Sequence, residues 1–398
     1  MEIKPAGDFD YFPTFETNFY TMKRLFSIVA LFLCMIPMQA QEITFWQKIN
    51  HFLTKPAVID TSRIYQPKPS FSLGMFTTLQ KASFSSNVNF NIDLEELGVY
   101  SGVSTYRLQE NLCSKLGLEL GYGNVGFGYG LEIGQKSAWK KSSFAFNIIG
   151  KSWGIRFNYF KITNPFTSGV EVRTPSDSIF IQDEYITEIP AVLNRLNIDA
   201  YYVFNNKRFA YPAAYKIGLV QRRTAGSWML TARYMQGRLY NSSEGAWDSY
   251  NVLDCFNSLQ ASIGGGYSVN FVFWHKDPVG PRDEKLRNIT FNLTALPVIT
   301  LVNYLKTSSY VFDDNDEVCG EDISKIWCYP MPNFIGNAAL SFTFGRIYFS
   351  TQFSYNWFYF RSNDAVNLDM DFSYDLDNFS FNGSFHDWTL KALLVYRF

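Results

Sequence analysis

Two short stretches hold residue types at spacings that could do chemistry. Gly121-Tyr122-Gly123-Asn124-Val125-Gly126 spells G-x-G-x-x-G, the turn through which a strand enters a helix whose N-terminus holds a pyrophosphate. Ser384-Phe385-His386-Asp387 gathers a hydroxyl, an imidazole and a carboxylate, the parts of a relay in which histidine takes the serine proton and an acid orients the ring. The first would bind a dinucleotide, and the second would open an ester or a peptide.

Both signals depend on the elements that carry them. After Gly126 come Gly128, Gly130 and Gly134, and each would cost a helix interior about 1 kcal/mol. No helix starts there. Val125, Phe127, Tyr129, Leu131 and Ile133 fall on one face and Gly126, Gly128, Gly130, Glu132 and Gly134 on the other, which is a strand. The glycine match is read as chance inside that strand, so NAD has no place and no cofactor is expected. In the second stretch, residues two apart on a strand face the same way without necessarily meeting, and no G-x-S-x-G elbow is present. Ser384, His386 and Asp387 stand as catalytic candidates against the bland reading of polar groups before the last strand. His275-Lys276-Asp277 is weaker and reads as a strand end.

The alternation recurs along the chain. Leu116, Leu118, Leu120 and Tyr122 oppose Lys115, Gly117, Glu119 and Gly121; Trp153, Ile155, Phe157 and Tyr159 oppose Gly154, Arg156 and Asn158. Similar strands are read at 198–204, 215–219, 228–234 and 347–359. The charges Glu119, Glu132, Arg156, Asp199, Lys216 and Arg233 all take the second face. Period alone fits a soluble sandwich as well as a membrane barrel. Three features select the barrel. Aromatics, 18% of the chain with charged residues also at 18%, cluster at strand ends as interfacial girdles require. Runs of about 10 residues suit a tilted strand crossing hydrocarbon. The last segment sets Trp388, Leu390, Ala392, Leu394, Tyr396 and Phe398 against Thr389, Lys391, Leu393, Val395 and Arg397. Its closing Tyr396-x-Phe398 resembles the signal read by outer-membrane barrel-assembly machinery. The expected fold is an all-β, transmembrane antiparallel β-barrel of about 12 strands, within a range of about 10 to 16, preceded by a short helix-like leader.

Met22-Lys23-Arg24, then the apolar run 25–36 and Pro37 to Gln41, has the form of a secretory signal cleaved after Ala40. The expected organisation is an upstream extension over 1–21, a signal over 22–40, a periplasmic leader over 41–69 and the barrel over 70–398. The rival reading of Leu31-Phe32-Leu33-Cys34 as a lipidation box lacks the usual small residue before Cys34. Phe45, Trp46, Ile49, Phe52 and Leu53 recur at helical spacing in the leader. Cys319 and Cys328 lie in an acidic segment without a nearby histidine, which favours a loop disulfide over zinc. Cys113 and Cys255 read as unpaired small hydrophobes, and no metal site is expected. Polar segments near 161–190, 240–256, 306–332 and 361–387 are read as loops, with acidic runs at 313–317 and 364–377. The strand count carries one conflict: walked back from the C-terminus, 161–190 falls on the side expected to have short turns. Either a strand is hidden within 161–190, or 257–276 is a hairpin broken at Gly264-Gly265-Gly266.

Several stretches resemble an uncharacterised family of outer-membrane barrels from Bacteroides-type bacteria, known only as a domain of unknown function. They are Asp60-Thr61-Ser62-Arg63-Ile64-Tyr65, Tyr201 to Phe209, Gln221 to Ser227, Gly266-Tyr267 and Val395 to Phe398. Thr224 stands where that family has serine. The resemblance implies a barrel in the outer membrane; it brings no activity and no functional residue.

The formal net charge of -1 gives no electrostatic case for nucleic acid. Expected partners are outer-membrane lipid and the assembly machinery, with the oligomeric state open. The inward charges Glu119, Glu132 and Asp199 face Arg156, Lys216, Arg233, Lys391 and Arg397. Mixed signs imply internal ion pairs that narrow or block the lumen, since a filter would favour one sign. The leading expectation is a narrow or partly occluded pore, or a binding or structural barrel. An outer-membrane enzyme acting on lipid or peptide at the extracellular rim is the alternative, and adhesion through the acidic loops is a third.

Overall fold

The structure, a computed structural model, describes residues 59–68, 70–94, 98–110, 112–133, 142–173, 187–241, 253–279, 285–312, 318–362 and 380–398. The signal, Cys34, the helical spacing at 45–53 and the acidic runs at 313–317 and 364–377 lie outside the described residues.

The strands are β1 (Ile64–Tyr65), β2 (Phe71–Leu94), β3 (Gly98–Glu110), β4 (Cys113–Tyr122), β5 (Val125–Glu132), β6 (Ser142–Ile149), β7 (Trp153–Arg173), β8 (Thr187–Val203), β9 (Val220–Gln221), β10 (Ala225–Asn241), β11 (Leu253–Lys276), β12 (Arg287–Phe312), β13 (Val318–Trp327), β14 (Met331–Phe344), β15 (Ile347–Arg361) and β16 (Ser380–Arg397). β1 pairs with β9 alone. The others form one antiparallel sheet that closes on itself where β11 pairs with β12. β3 and β4 run in succession along β2, and β13 and β14 along β12, so the barrel has twelve staves.

Alternation decides which side each residue takes. On β4, Leu116, Leu118 and Leu120 are 44%, 55% and 55% exposed on the outside, while Lys115 is 2% exposed inside. At the end where β16 finishes, tight turns at Gly123 and Gly345 carry φ of 54° and 59°. These are left-handed conformations that favour glycine.

Four details differ from the sequence reading. The described residues of 161–190 hold no extra strand but extend β7 and β8, and the strand absent from the sequence reading is β6, whose Ser142 to Ile149 lie beside β5 and β7. Residues 215–219 are not a strand. Each error had compensated the other in the strand count. Because β6 lies before 161–190, only the loss of 215–219 alters the walk back from the C-terminus, and it puts 161–190 at the long-loop end, opposite the tight turns. Gly264-Gly265-Gly266 is no hairpin but part of the continuous β11. Pro297 of β12 has no N–H for the ladder there, and a Cβ on Gly264 would lie 2.2 Å from the Pro297 carbonyl oxygen. Finally, strands run on into segments expected as loops; β12 has 26 residues, more than twice the roughly 10 needed to cross hydrocarbon.

Cys319 and Cys328 do not form a disulfide, because Cys328 is a free, buried thiol. Cys319 lies in β13 and Cys328 just beyond its end. Nine residues of extended chain at about 3.3 Å each separate them by about 30 Å, against the roughly 7 Å a bridge tolerates. Cys113 is also free and buried.

Candidate functional site

The lumen is filled from one end by the chain itself. Between β8 and β10 the chain does not make a simple turn: within 204–224, residues 209–221 turn inward. Asn205 fixes the entry: its backbone N–H donates to Ser227 Oγ at 2.9 Å and its amide to the Gly226 carbonyl at 3.1 Å. Pro212 then supports a single 3-10 turn over Tyr211–Ala214. Phe209, Ala210, Tyr211, Ala213 and Ala214 are buried within the barrel.

The walls hold this segment on several sides. Asn270 of β11 donates to the Ala210 carbonyl at 2.8 Å, and Gln352 of β15 to the Tyr215 carbonyl at 3.0 Å. Tyr215 donates its hydroxyl to Asn292 of β12 at 2.7 Å. Ile217 packs with Phe76, Tyr348, Leu393 and Val395, so the apolar residues on the inward face of the last strand meet a partner. Tyr211 packs edge-on to Tyr201, their ring centroids 4.9 Å apart.

Gln221 is the junction of the segment and is fully buried. Its side-chain oxygen accepts the Ala210 N–H at 2.8 Å, and its amide donates to the carbonyls of Arg208 and Arg223 at 2.8 and 3.0 Å. Its own carbonyl accepts from Asn288 at 2.8 Å. Through β9, Gln221 also pairs with Ile64 of β1. Three stretches singled out in the sequence, 60–65, 201–209 and 221–227, therefore meet in one latch.

An ionic belt closes that end. Arg222 pairs with Asp277 at 2.9 Å, and Asp277 with His275 at 3.0 Å. The hydrogen bond from His275 holds the Asp277 carboxyl below its ordinary range, with Arg222 adding to the effect. Asp60 is held low chiefly by the hydrogen bond from Ser62, with Arg208 and Arg63 nearby.

Beyond the inserted segment lies a cavity of about 230 Å³ whose wall includes Arg156, Asp199, Arg233, Glu119, Lys391 and Asp387. Arg233 pairs with Asp199 and also donates to Asn356. Arg156 is the cross-strand partner of the same Asp199. Lys391 pairs with Glu119 at 2.8 Å, while Lys216 arrives on the inserted segment, not on the wall. The pair Arg195–Asp387 is buried too, with Arg195 stacked over the Phe385 ring at 4.6 Å. Arg195 escaped the sequence reading because its neighbours are not a clean alternating run; Asp387 was assigned to a relay. Arg397 is buried at the end of the last strand. Glu132 ends β5, and its side chain lies outside the described residues.

The glycines of β4 and β5 have a structural use. A Cβ on Gly117 would lie 2.2 Å from the Phe76 ring, and one on Gly126 would lie 3.5 Å from Lys216 Nζ. Of the three glycines in the dinucleotide-loop match, Gly123 takes the turn, while Gly121 and Gly126 leave room for Ser72 and Lys216.

The proposed relay is divided by the wall. His386 meets Ser384 at 3.1 Å and Tyr355 Oη at 3.0 Å, and stacks on Trp357. Asp387 points to the other face, where it holds Arg195. Serine and histidine come together, but the acid does not join them. Among the described residues no cluster of three or more metal-ligating side chains occurs.

A family model described as Domain of unknown function (DUF4421) matches residues 58–276. No curated protein matches the chain. Among solved structures, the outer membrane protease OmpT of Escherichia coli aligns over 82% of this chain and 97% of its own, at 8% identity and a TM-score of 0.32. The toluene transporter TodX of P. putida aligns over 82% and 90%, at 6% identity and 0.21. OmpTdeltaL8, an outer membrane protein of Vibrio cholerae, aligns over 79% and 99%, at 6% identity and 0.21.

Proposed function

The chain belongs to the family described as a domain of unknown function (DUF4421), and from that premise we propose that it is an outer-membrane barrel closed by its own sequence. It acts as a binding or structural barrel, not as an open pore. Support for the membrane comes from the outer face, where rows such as Leu116, Leu118 and Leu120 or Leu394, Tyr396 and Phe398 stand exposed. Ten residues separate exposed Ile347 from exposed Trp357 on β15. At about 3.4 Å per residue and a tilt near 40°, they span roughly 26 Å, the height of the apolar band of such barrels. Tyr396 and Phe398 face outward at the final strand end, where assembly machinery would read them.

The observation that carries closure is the segment 204–224, hydrogen-bonded to β11, β12 and β15 from inside the lumen. Planar-bilayer recording of the purified chain tests it. No steady conductance is expected from the native protein, and step currents are expected when residues 207–219 are replaced by a short glycine linker. Steady native conductance would refute closure, and recovery of the processed chain as a soluble monomer would refute the membrane assignment.

The 3.1 Å contact between Ser384 and His386 supports a second reading, an esterase-like site on the outer face near Trp357. Turnover of a lipid ester that is lost in Ser384→Ala and His386→Ala would establish it, and no turnover would retire it.

A further inference from the structure

We propose that the lumen cavity binds hydrogen phosphate, free or as a small monoester, with Arg156 as its principal ligand. The argument starts from charge. Among the described lumen residues, Lys115, Arg156, Arg195, Lys216, Arg233, Lys391 and Arg397 stand against the carboxylates of Glu119, Asp199 and Asp387. Each carboxylate is engaged: Glu119 by Lys391, Asp199 by Arg233 and Asp387 by Arg195. Lys115 donates to Gln80 at 3.5 Å, and Arg156 stands opposite Asp199 across the strands, but Arg156 and Lys216 make neither an ion pair nor a hydrogen bond among the described residues.

The second line of argument is the orphaned donors. Arg156 Nε lacks a hydrogen-bond partner, as does Asn337 Nδ2, and both residues line the cavity. Asn337 is only 6% exposed. Lys216, also 6% exposed, is not part of the cavity wall; its Nζ lies beside Gly126. A cavity of about 230 Å³ is below the range of about 300 to 1,000 Å³ for drug-sized ligands and suits a small ion. Buried cations without partners are unfavourable, and an anion with oxygens for the guanidinium fork removes that penalty.

One orphan selects among anions. Asp387 Oδ1, in the same wall, is an acceptor without a donor. Hydrogen phosphate offers acceptor oxygens to Arg156 and Asn337 and an O–H to Asp387. Sulfate and carboxylates have no such O–H near neutral pH.

The test titrates the full chain in detergent micelles with inorganic phosphate by calorimetry, at constant ionic strength. Binding in micelles needs no membrane current, so this proposal stands or falls apart from lumen closure. Saturable one-to-one binding is expected. Arg156→Met should weaken it by about 10- to 100-fold, the effect of a charge-assisted hydrogen bond, and Arg156→Lys should recover part of the loss. Sulfate should bind at least about tenfold more weakly than phosphate. Heat-modifiable gel mobility verifies folding of each variant; should Arg156→Met not fold, Asn337→Ala replaces it with the same expected direction. No saturable binding, or only an adventitious ion unaffected by the substitutions, would overturn the site. Equal affinity for sulfate would overturn its assignment to hydrogen phosphate.

Discussion

The side-chain oxygen of Gln221 accepts the backbone N–H of Ala210 at 2.8 Å across 11 residues of sequence. This bond closes the inserted segment on itself before the barrel walls hold it. The same side chain serves the carbonyls of Arg208 and Arg223, so its removal strands several buried groups at once. Each such group costs about 1–3 kcal/mol when unpaired, and the losses overlap. Gln221→Leu is expected to destabilise the segment by about 2–4 kcal/mol. Hydrogen exchange at the Ala210 amide should then accelerate by about 30- to 1,000-fold. Unchanged exchange would show that the walls alone hold the segment.

The notches in β4 and β5 make a paired prediction. A Cβ on Gly117 would sit 2.2 Å from the Phe76 ring and 2.5 Å from the Tyr129 carbonyl oxygen, whereas on Gly128 its nearest neighbour is 3.6 Å away. Gly117→Ala is expected to destabilise by about 1–3 kcal/mol through overpacking, and Gly128→Ala by less than about 0.5 kcal/mol. Because one of the clashing atoms is backbone, trimming the ring with Phe76→Leu should relieve only part of the Gly117→Ala loss. Urea midpoints of the folded band in heat-modifiable gels measure both.

These notches also show how far the sequence could be read. Residues such as Leu116, Leu118 and Leu120 alternate with Lys115 and Glu119 because a barrel wall has two unlike sides. That contrast is local, so fold, closure and sidedness were legible. The inserted segment was not. Tyr215, Ile217 and Leu219 alternate with Lys216 and Gly218 and imitate a wall strand, although Ile217 packs with Phe76 and Val395, Leu219 with Ile64 and Tyr215 against the Tyr211 cluster. The apolar Leu393 and Val395 on the wet face of the last strand were the available sign of something greasy inside. The pairing of Arg233 with Asp199 crosses from β10 to β8 and depends on register, which no local pattern carries. Ser384, His386 and Asp387 are adjacent in sequence, yet alternation puts the acid behind the wall.

The ion pairs of the lumen should differ in how replaceable they are. Asp387 has Arg195 as its single ion-pair partner among the described residues. Asp199 is bound by Arg233 and has Arg156 as cross-strand partner. Breaking a buried pair by removing one member typically costs about 3–5 kcal/mol. Arg195→Met is expected to cost about that, and Arg233→Met less, because Arg156 still faces the carboxylate. Equal losses in urea titrations of the two variants would mean that Arg156 does not compensate.

The ionic belt gives the last prediction, in pH. Asp277 and Asp60 both have carboxyl groups held below their ordinary range, the first chiefly by His275 and the second chiefly by Ser62. A depressed folded value means that the unfolded latch binds protons more readily than the folded one. Stability from these groups is therefore fully present above the unfolded carboxylate value near about 4, and it is lost as pH falls through the lower folded values. Protease cleavage near Arg63 and Arg208 should rise as pH falls below about 4. Asp277→Asn with Asp60→Asn should raise cleavage at neutral pH and flatten the acid response. An acid response that persists undiminished in the double variant would place the titrating groups elsewhere in the protein.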